Sequence, residues 1–193
     1  MLGLQFETKT SWAEIAKDNL QQILTDHAFL EQKAASNAVS IIINYSEETK
    51  LVQAMSEIAI EEMEHFKMVH DFMVKRGMVL GREQKNDYAI QLMKFFKKTG
   101  DRKEALIQRL LIAALIEARS CECFKVFSEN MEDEELSKFY KDLMISEANH
   151  YTTFLGFARE YEDRTIVDKL WNSLLAFEAE MMRNRGNEAK VHG

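Results

Sequence analysis

Two motifs in the sequence each pair a glutamate with a histidine three residues later. They are Glu62–His65, in "IEEMEHFKMVH", and Glu147–His150, in "LMISEANHYTTF". Residues three apart lie on one face of a helix, so each motif can direct a carboxylate and an imidazole to the same point. Such a pair is ordinary on a surface, but in a core it needs a partner because unpaired buried polar groups are costly. Both side chains are good ligands for iron, which makes each motif a candidate metal site.

Each motif also has an upstream glutamate at a matching distance. Glu31 precedes Glu62 by 31 residues, and Glu117 precedes Glu147 by 30 residues. Residues equally far from the turn of an antiparallel helical hairpin lie at the same height, and both midpoints fall in polar stretches that we predict to be turns. The spacing therefore predicts that four carboxylates and two imidazoles meet at one level of a helical bundle. Bundle cores use this set of ligands for two iron or two manganese ions.

The candidate metal ligands are Glu31, Glu62, His65, Glu117, Glu147 and His150. The glutamates of the two motifs are our candidates for bridging ligands, and the two upstream glutamates are candidates for terminal ligands. Four carboxylates balance the charge of two divalent cations and leave coordination positions open for oxygen. The two sets are offset by 86 residues at the upstream glutamates and by 85 at the motif glutamates, which indicates an internal duplication. The same offset matches Lys33 with Arg119.

The elements that must position these residues are long helices. The chain of 193 residues has no proline, only seven glycines and 46% hydrophobic residues. This composition favours one all-α domain over residues 1–193, with a polar tail from about residue 183. We predict helices at about 11–45 with a break near Asp18, at 47–76 with Ser46 as N-cap and Gly77 as stop, and at 101–129, 134–161 and 164–182. A connection at residues 78–100, with a short helix at 86–98, joins two hairpins into a four-helix bundle with one crossover.

Several polar residues near the motifs have simpler explanations than metal binding. Glu61 and Glu64 point away from the motif face, and we expect them in solvent. Glu122 is about 140° around the helix from the upstream glutamate, so we interpret it as a boundary residue rather than a ligand. His27 lies one turn before the other upstream glutamate, where it either lines the site or is a hydrogen-bonded core histidine.

The cysteine content bears on the supply of electrons. Cys121 and Cys123 lie on nearly opposite sides of a helix, so we predict two reduced, buried thiols rather than a disulfide. Two thiolates cannot hold a rubredoxin or a typical iron–sulfur centre, which need four. Any electrons that the protein uses must therefore come from an external donor, such as a reductase or a ferredoxin.

Charge is distributed unevenly along the chain. The net charge is −7, yet residues 75–109 hold ten Lys or Arg and four Asp or Glu, a balance of +6. A basic stretch on an acidic protein either is a solvated face or binds phosphates. The start of the chain does not resemble a signal peptide, and its apolar runs are shorter than a membrane span, so we expect a cytoplasmic protein without a membrane partner.

Five segments resemble the MiaE-type tRNA hydroxylases. They are "ILTDHAFLEQKAASNA", "EEMEHFKMVH", "RGMVLGREQKNDY", "IEARSCECFKVFSEN" and "LMISEANHYTTFLGFARE", and the resemblance covers about residues 2–162. It implies a ferritin-like fold and a non-haem di-iron centre with O2 as co-substrate. The family's metal ligands carry over onto the six candidates named above.

The resemblance also implies a substrate. We expect hydroxylation of the isopentenyl group of 2-methylthio-isopentenyladenosine beside the anticodon of tRNA, with the anticodon loop as partner. The candidate RNA-binding residues in the basic stretch are Lys94, Lys97, Lys98, Arg102 and Lys103. The alternatives are another ferritin-like di-iron oxidase, an iron-storing ferroxidase, a di-manganese catalase and a non-catalytic RNA-binding bundle.

Overall fold

A computed structural model describes residues 2–185 and 188–192 of the chain. Within these residues the secondary structure is entirely helical. The helices are α1 (Thr10–Asp18), α2 (Leu20–Asn44), α3 (Thr49–Lys75), α4 (Tyr88–Leu92), a 3-10 helix (Met93–Phe95), α5 (Arg102–Glu129), α6 (Glu134–Tyr161) and α7 (Arg164–Arg183). The predicted break near Asp18 is the boundary between α1 and α2. The described helices include none with the length and apolarity needed to cross a bilayer.

The chain divides into two compact units, which we name the α2–α3 unit and the α5–α6 unit. The first comprises Ile15–Lys85 with Ala189–Val191. The second comprises the segment up to Glu14, the segment from Asn86 to Glu188, and His192. That residues 1–193 form a single domain stays a prediction.

The α2–α3 unit is a helical hairpin that packs along its whole length. Its core residues recur at three- and four-residue intervals on both helices, which is the pattern of one buried face. They include Ile23, Leu24, Ala28, Ala38 and Ile41 of α2 with Leu51, Met55, Ile58 and Val69 of α3. The periodicity of these residues fixes which face of each helix turns inward.

The two ends of α3 show one correct and one wrong prediction. Gly77 has a φ of 69° and ends the helix, as predicted. The Met78 N–H donates to the Met73 carbonyl at 2.9 Å and the Gly77 N–H to the Val74 carbonyl at 3.0 Å, which is a Schellman motif. The prediction of Ser46 as N-cap is wrong, because Ser46 lies inside a turn and the cap position falls at Glu48.

The α5–α6 unit is a second hairpin whose helices also pack along their length. Three aspartates begin its long helices. The side chains of Asp101, Asp133 and Asp163 accept hydrogen bonds from backbone N–H groups in the first turns of α5, α6 and α7. An N-cap aspartate satisfies donors that a helix start leaves open, which explains why these boundaries were predictable from the sequence.

The connection between the hairpins is less regular than predicted. The short helix expected at 86–98 is shorter, because α4 gives way to the 3-10 helix and the chain becomes extended at Phe96. Phe95 packs against Phe177 of α7, with ring centroids 5.4 Å apart. This contact holds the end of the connection within the α5–α6 unit.

The tail after α7 is polar in sequence but partly buried. The helix ends at Arg183, close to the predicted boundary. Val191 and His192 are both buried. The rest of the predicted tail includes Gly186, Asn187 and Gly193, which lie outside the described residues.

Candidate metal centre

The α2–α3 unit brings three of the predicted ligands together. Glu31 projects from α2, and Glu62 and His65 project from α3; all three are buried. His65 Nδ1 lies 3.7 Å from Glu31 Oε2 and 3.7 Å from Glu62 Oε2. Each residue thus offers one ligand atom within 4.8 Å of those of the other two. Ligand atoms that share one metal ion are typically about 3–4 Å apart, so small adjustments would close this set around a cation.

The close contact between the carboxylates and the imidazole of this set shifts the pKa values of Glu31 and His65. Burial acts to raise the pKa of Glu31, but a hydrogen bond with Glu62 and the charge of His27 hold it well below its ordinary value. Burial acts to lower the pKa of His65, yet Glu31 and Glu62 together raise it to about 10. A cation at this point would compete with the His65 proton, since a histidine ligand must be neutral.

The α5–α6 unit brings together the other three predicted ligands. Glu117 projects from α5, and Glu147 and His150 project from one face of α6. All three side chains are buried, and each offers one ligand atom within 4.8 Å of those of the other two. The two hairpins therefore repeat the same arrangement, in which a glutamate of the first helix faces a Glu-x-x-His motif of the second.

The chemistry of each set fits a divalent metal. Burying two carboxylates costs several kcal/mol per ion unless nearby positive charge compensates, and a cation supplies that charge. Carboxylate oxygen with imidazole nitrogen suits iron or manganese, and neither set contains a cysteine that would favour a softer metal.

The neighbours of the ligands do not all behave as the sequence suggested. Glu61 and Glu64 are exposed, as predicted. His27 is buried, and its Nε2 lies 2.5 Å from Glu31 Oε1, so it is a hydrogen-bonded histidine that touches a predicted ligand. The interpretation of Glu122 as a boundary residue is wrong, because its side chain is buried against Arg119 and Thr8.

The sequence also gave no indication of a buried network around Arg119 of α5. This side chain is 0% exposed, and each of its five N–H groups has an acceptor. Glu178 of α7 accepts two of these bonds at 2.8 and 2.9 Å, while Glu122, Thr8 and the Phe6 carbonyl accept the others. The network ties the N-terminal segment and α7 to α5, the helix that carries Glu117. A basic residue inside the pattern of α5 could have signalled it, but its partners are too distant in sequence to be inferred.

A second unexpected feature is the anchoring of the C-terminal tail. In the α5–α6 unit, His192 Nε2 lies 3.0 Å from Ser120 Oγ, and the His192 ring is 4.6 Å from that of Tyr88. In the α2–α3 unit, the Val191 N–H donates to Asp26 Oδ2 at 2.9 Å. Nothing in the short polar sequence of the tail distinguishes these residues from solvated ones.

The two cysteines are reduced and buried, as predicted. Burial raises the pKa of Cys121 to about 11 and that of Cys123 to about 12. The Cys121 thiol donates to the Met144 carbonyl at 3.3 Å. Both thiols of α5 are therefore buried in their neutral form.

The predicted RNA-binding residues all lie on the surface. Lys94, Lys97, Lys98, Arg102 and Lys103 are exposed. Lys103 forms an ion pair with Glu162, with 3.1 Å between Nζ and Oε2. The nearby carboxylate weakens the attraction of Lys103 for an external phosphate. A role of these residues in RNA binding stays a prediction.

Comparison with known proteins identifies the family. The family model described as tRNA-(MS2IO6A)-hydroxylase (MiaE) matches residues 2–193. The chain belongs to the MiaE family. This confirms the resemblance found in the sequence, and with it the enzyme class of tRNA hydroxylase.

Two relatives share nearly the whole length of this MiaE-family chain. A tRNA 2-(methylsulfanyl)-N(6)-isopentenyladenosine(37) hydroxylase of Pseudomonas putida is 35% identical over 185 residues, which are 96% of this chain and 89% of that protein. A hydroxylase of the same name from Salmonella typhimurium is 25% identical and covers 98% of this chain and 87% of its own length.

A solved structure supports the fold. A protein from Synechococcus named for aldehyde deformylating oxygenase activity is 30% identical and has a TM-score of 0.91, covering 98% of this chain and 95% of its own. The similarity confirms the predicted fold class, an all-α fold of the ferritin-like type.

Proposed function

We propose that the protein hydroxylates the isopentenyl group of 2-methylthio-isopentenyladenosine next to the anticodon of tRNA, using O2 and two iron ions. The observation that carries this proposal is the repeated, buried set of two carboxylates and one imidazole in a chain of the MiaE family. The 35% identical relative from Pseudomonas putida, named for this reaction, supports the choice of substrate.

In this proposal all six predicted ligands hold the metal ions. Glu62 and Glu147 would bridge them, Glu31 and Glu117 would be terminal ligands, and His65 and His150 would complete the set. When bound, the iron pair supplies the redox chemistry that activates O2. The protein's own contribution is to bury the ligands on rigid helices, so that water is kept from the reacting group and the ligands are held in place.

The substrate side of the proposal rests on the exposed basic residues of the connection and of the first turn of α5. The anticodon loop is single-stranded, so the modified base can leave its stack at modest cost and approach the buried ligands. The lysines would bind phosphates of the loop, which gives affinity without reading the sequence. An external reductase or ferredoxin would supply electrons in the cytosol.

A second candidate function is suggested by the solved structure. The Synechococcus protein is named for activity on an aldehyde, and its similarity covers the whole fold. An alkyl aldehyde and a prenyl tail both carry a hydrocarbon chain. Incubation of the iron-loaded protein with an alkyl aldehyde, reductant and O2 would reveal this activity as alkane and formate.

The proposed function is tested by mass spectrometry of tRNA nucleosides from cells that contain or lack the protein. We expect hydroxylated 2-methylthio-isopentenyladenosine only in cells with the protein. Glu62→Ala should abolish the product, while Glu61→Ala, which alters the exposed neighbour on the same helix, should retain it. Hydroxylated nucleoside in cells lacking the protein, or from the Glu62 variant, would contradict the proposal.

A further inference from the structure

His27 is a buried titratable group that the proposed ligand set does not use. Its side chain is 0% exposed in the middle of α2. Its Nε2 lies 2.5 Å from Oε1 of Glu31, one helical turn further along. A fully buried histidine needs a polar partner, because burying its ring nitrogens without a hydrogen bond is costly. That partner is a predicted metal ligand.

The hydrogen bond makes the two oxygens of Glu31 different. The distance between His27 Nε2 and Glu31 Oε1 is that of a hydrogen bond, and the tautomer with its proton on Nε2 donates to Oε1, since a carboxylate that binds a cation only accepts hydrogen bonds. The other oxygen, Oε2, lies 3.7 Å from Nδ1 of His65. Glu31 therefore turns one oxygen to His27 and the other to the remaining ligands of the α2–α3 unit.

The α5–α6 unit has a different residue at the corresponding position. The 86-residue offset that matches Glu31 with Glu117 matches His27 with Ala113. Ala113 is buried on α5, and its methyl group cannot donate a hydrogen bond. The two ligand sets therefore contain the same residue types. They differ one helical turn before the upstream glutamate, where His27 contacts Glu31 but Ala113 cannot donate a hydrogen bond to Glu117.

His27 is not positioned as a ligand in its own right. The groups of buried residues whose ligand atoms cluster closely include Glu31, Glu62 and His65 but not His27, within the described part of the chain. Its Nε2 instead contacts Oε1 of the Glu31 carboxylate. Hydrogen bonds of this kind orient metal ligands in proteins, and their loss typically lowers metal affinity about 10- to 100-fold.

We propose that His27 is a positioning residue, which holds Glu31 Oε1 so that Oε2 is the oxygen presented to the metal and which makes the two metal-binding steps unequal. The inference rests on the proposed metal centre and adds to it a difference between the two halves. A donor at position 27 is required, and an imidazole in particular is not.

The test is a titration of the metal-free, full-length protein with Co2+, followed by calorimetry and by the visible absorption of bound cobalt. The variants are His27→Leu, which removes the donor, His27→Gln, whose longer amide can still donate to the next turn, and the control His70→Gln on α3. We expect wild type and control to bind two Co2+ in distinguishable steps. His27→Leu should weaken one step about 10- to 100-fold and leave the other within about threefold, and His27→Gln should restore it.

Each other outcome overturns a defined part of the account. Three outcomes would contradict the positioning role of His27 without contradicting the proposed metal centre. They are equal weakening of both binding steps, no weakening of either step, and failure of His27→Gln to restore binding. No binding of Co2+ by the wild type would contradict the proposed metal centre and the inference with it. If His27→Leu does not fold, His27→Asn decides by the same criterion, because its amide is too short to reach Glu31.

Discussion

Replacing Arg119 with methionine should destabilise the protein far more than removing an ordinary surface ion pair. The substitution keeps an unbranched apolar stem but removes the guanidinium, so the buried carboxylates of Glu178 and Glu122 lose their cation. Breaking a buried pair in this way costs about 3–5 kcal/mol. For a chain of this size that corresponds to a fall in melting temperature of about 6–20 °C.

A matched control lies at the equivalent position of the other hairpin. Lys33 pairs with Glu83 at 2.6 Å, but the two side chains are 41% and 51% exposed. Lys33→Met should therefore cost less than about 1 kcal/mol. Urea and thermal unfolding followed by circular dichroism measure both variants, and adding Glu178→Gln to Arg119→Met should recover part of the loss. A loss for Arg119→Met no larger than that for Lys33→Met would refute the assignment of a buried, fully paired network.

Three further predictions follow from the site and its surroundings. Glu62→Ala should lose bound iron but stay helical by circular dichroism, because the ligand sits on a long helix with its own apolar core; an unfolded variant would indicate a chiefly structural site. Charge reversal of Lys97 and Lys98 should weaken tRNA binding and flatten its dependence on salt, which titration at several salt concentrations measures; an unchanged slope would place RNA elsewhere. Cys121 and Cys123 should resist a thiol reagent at pH 8 until the protein unfolds, since burial raises both pKa values. Rapid labelling of the folded protein would contradict this protection of the thiols. The folded state disfavours both thiolates, so the free energy of unfolding should fall as pH rises from about 8.5 toward 11.

Helix ends and the buried ligand residues could be predicted from local patterns in the sequence. Helix starts at Asp101, Asp133 and Asp163 and the stop at Gly77 follow from capping chemistry, which involves residues only a few positions apart. The buried glutamates and histidines were predictable because a hairpin relates distant residues through simple equality of spacing. Ser46 was misassigned because α3 begins at Thr49 and the residue at its cap position, Glu48, makes no side-chain capping bond, so capping chemistry does not mark this helix start.

The rest depended on contacts that no local pattern encodes. Arg119 finds Glu178 and Thr8 across 59 and 111 residues of sequence, respectively. The burial of Val191 and His192 depends likewise on where the tail docks. His27 could be placed on the face of Glu31 by helical spacing, but whether it would donate to that carboxylate depended on side-chain geometry.

The most direct test of the proposed function is a single-turnover reaction under oxygen-18. The iron-loaded protein, a chemical reductant and tRNA that carries 2-methylthio-isopentenyladenosine are mixed with labelled O2, and the nucleosides are analysed by mass spectrometry. We expect one labelled oxygen atom in the prenyl group of the product, with none formed by Glu62→Ala. Absence of the hydroxylated nucleoside, or a product whose oxygen derives from water, would contradict oxygen-dependent hydroxylation at this metal centre.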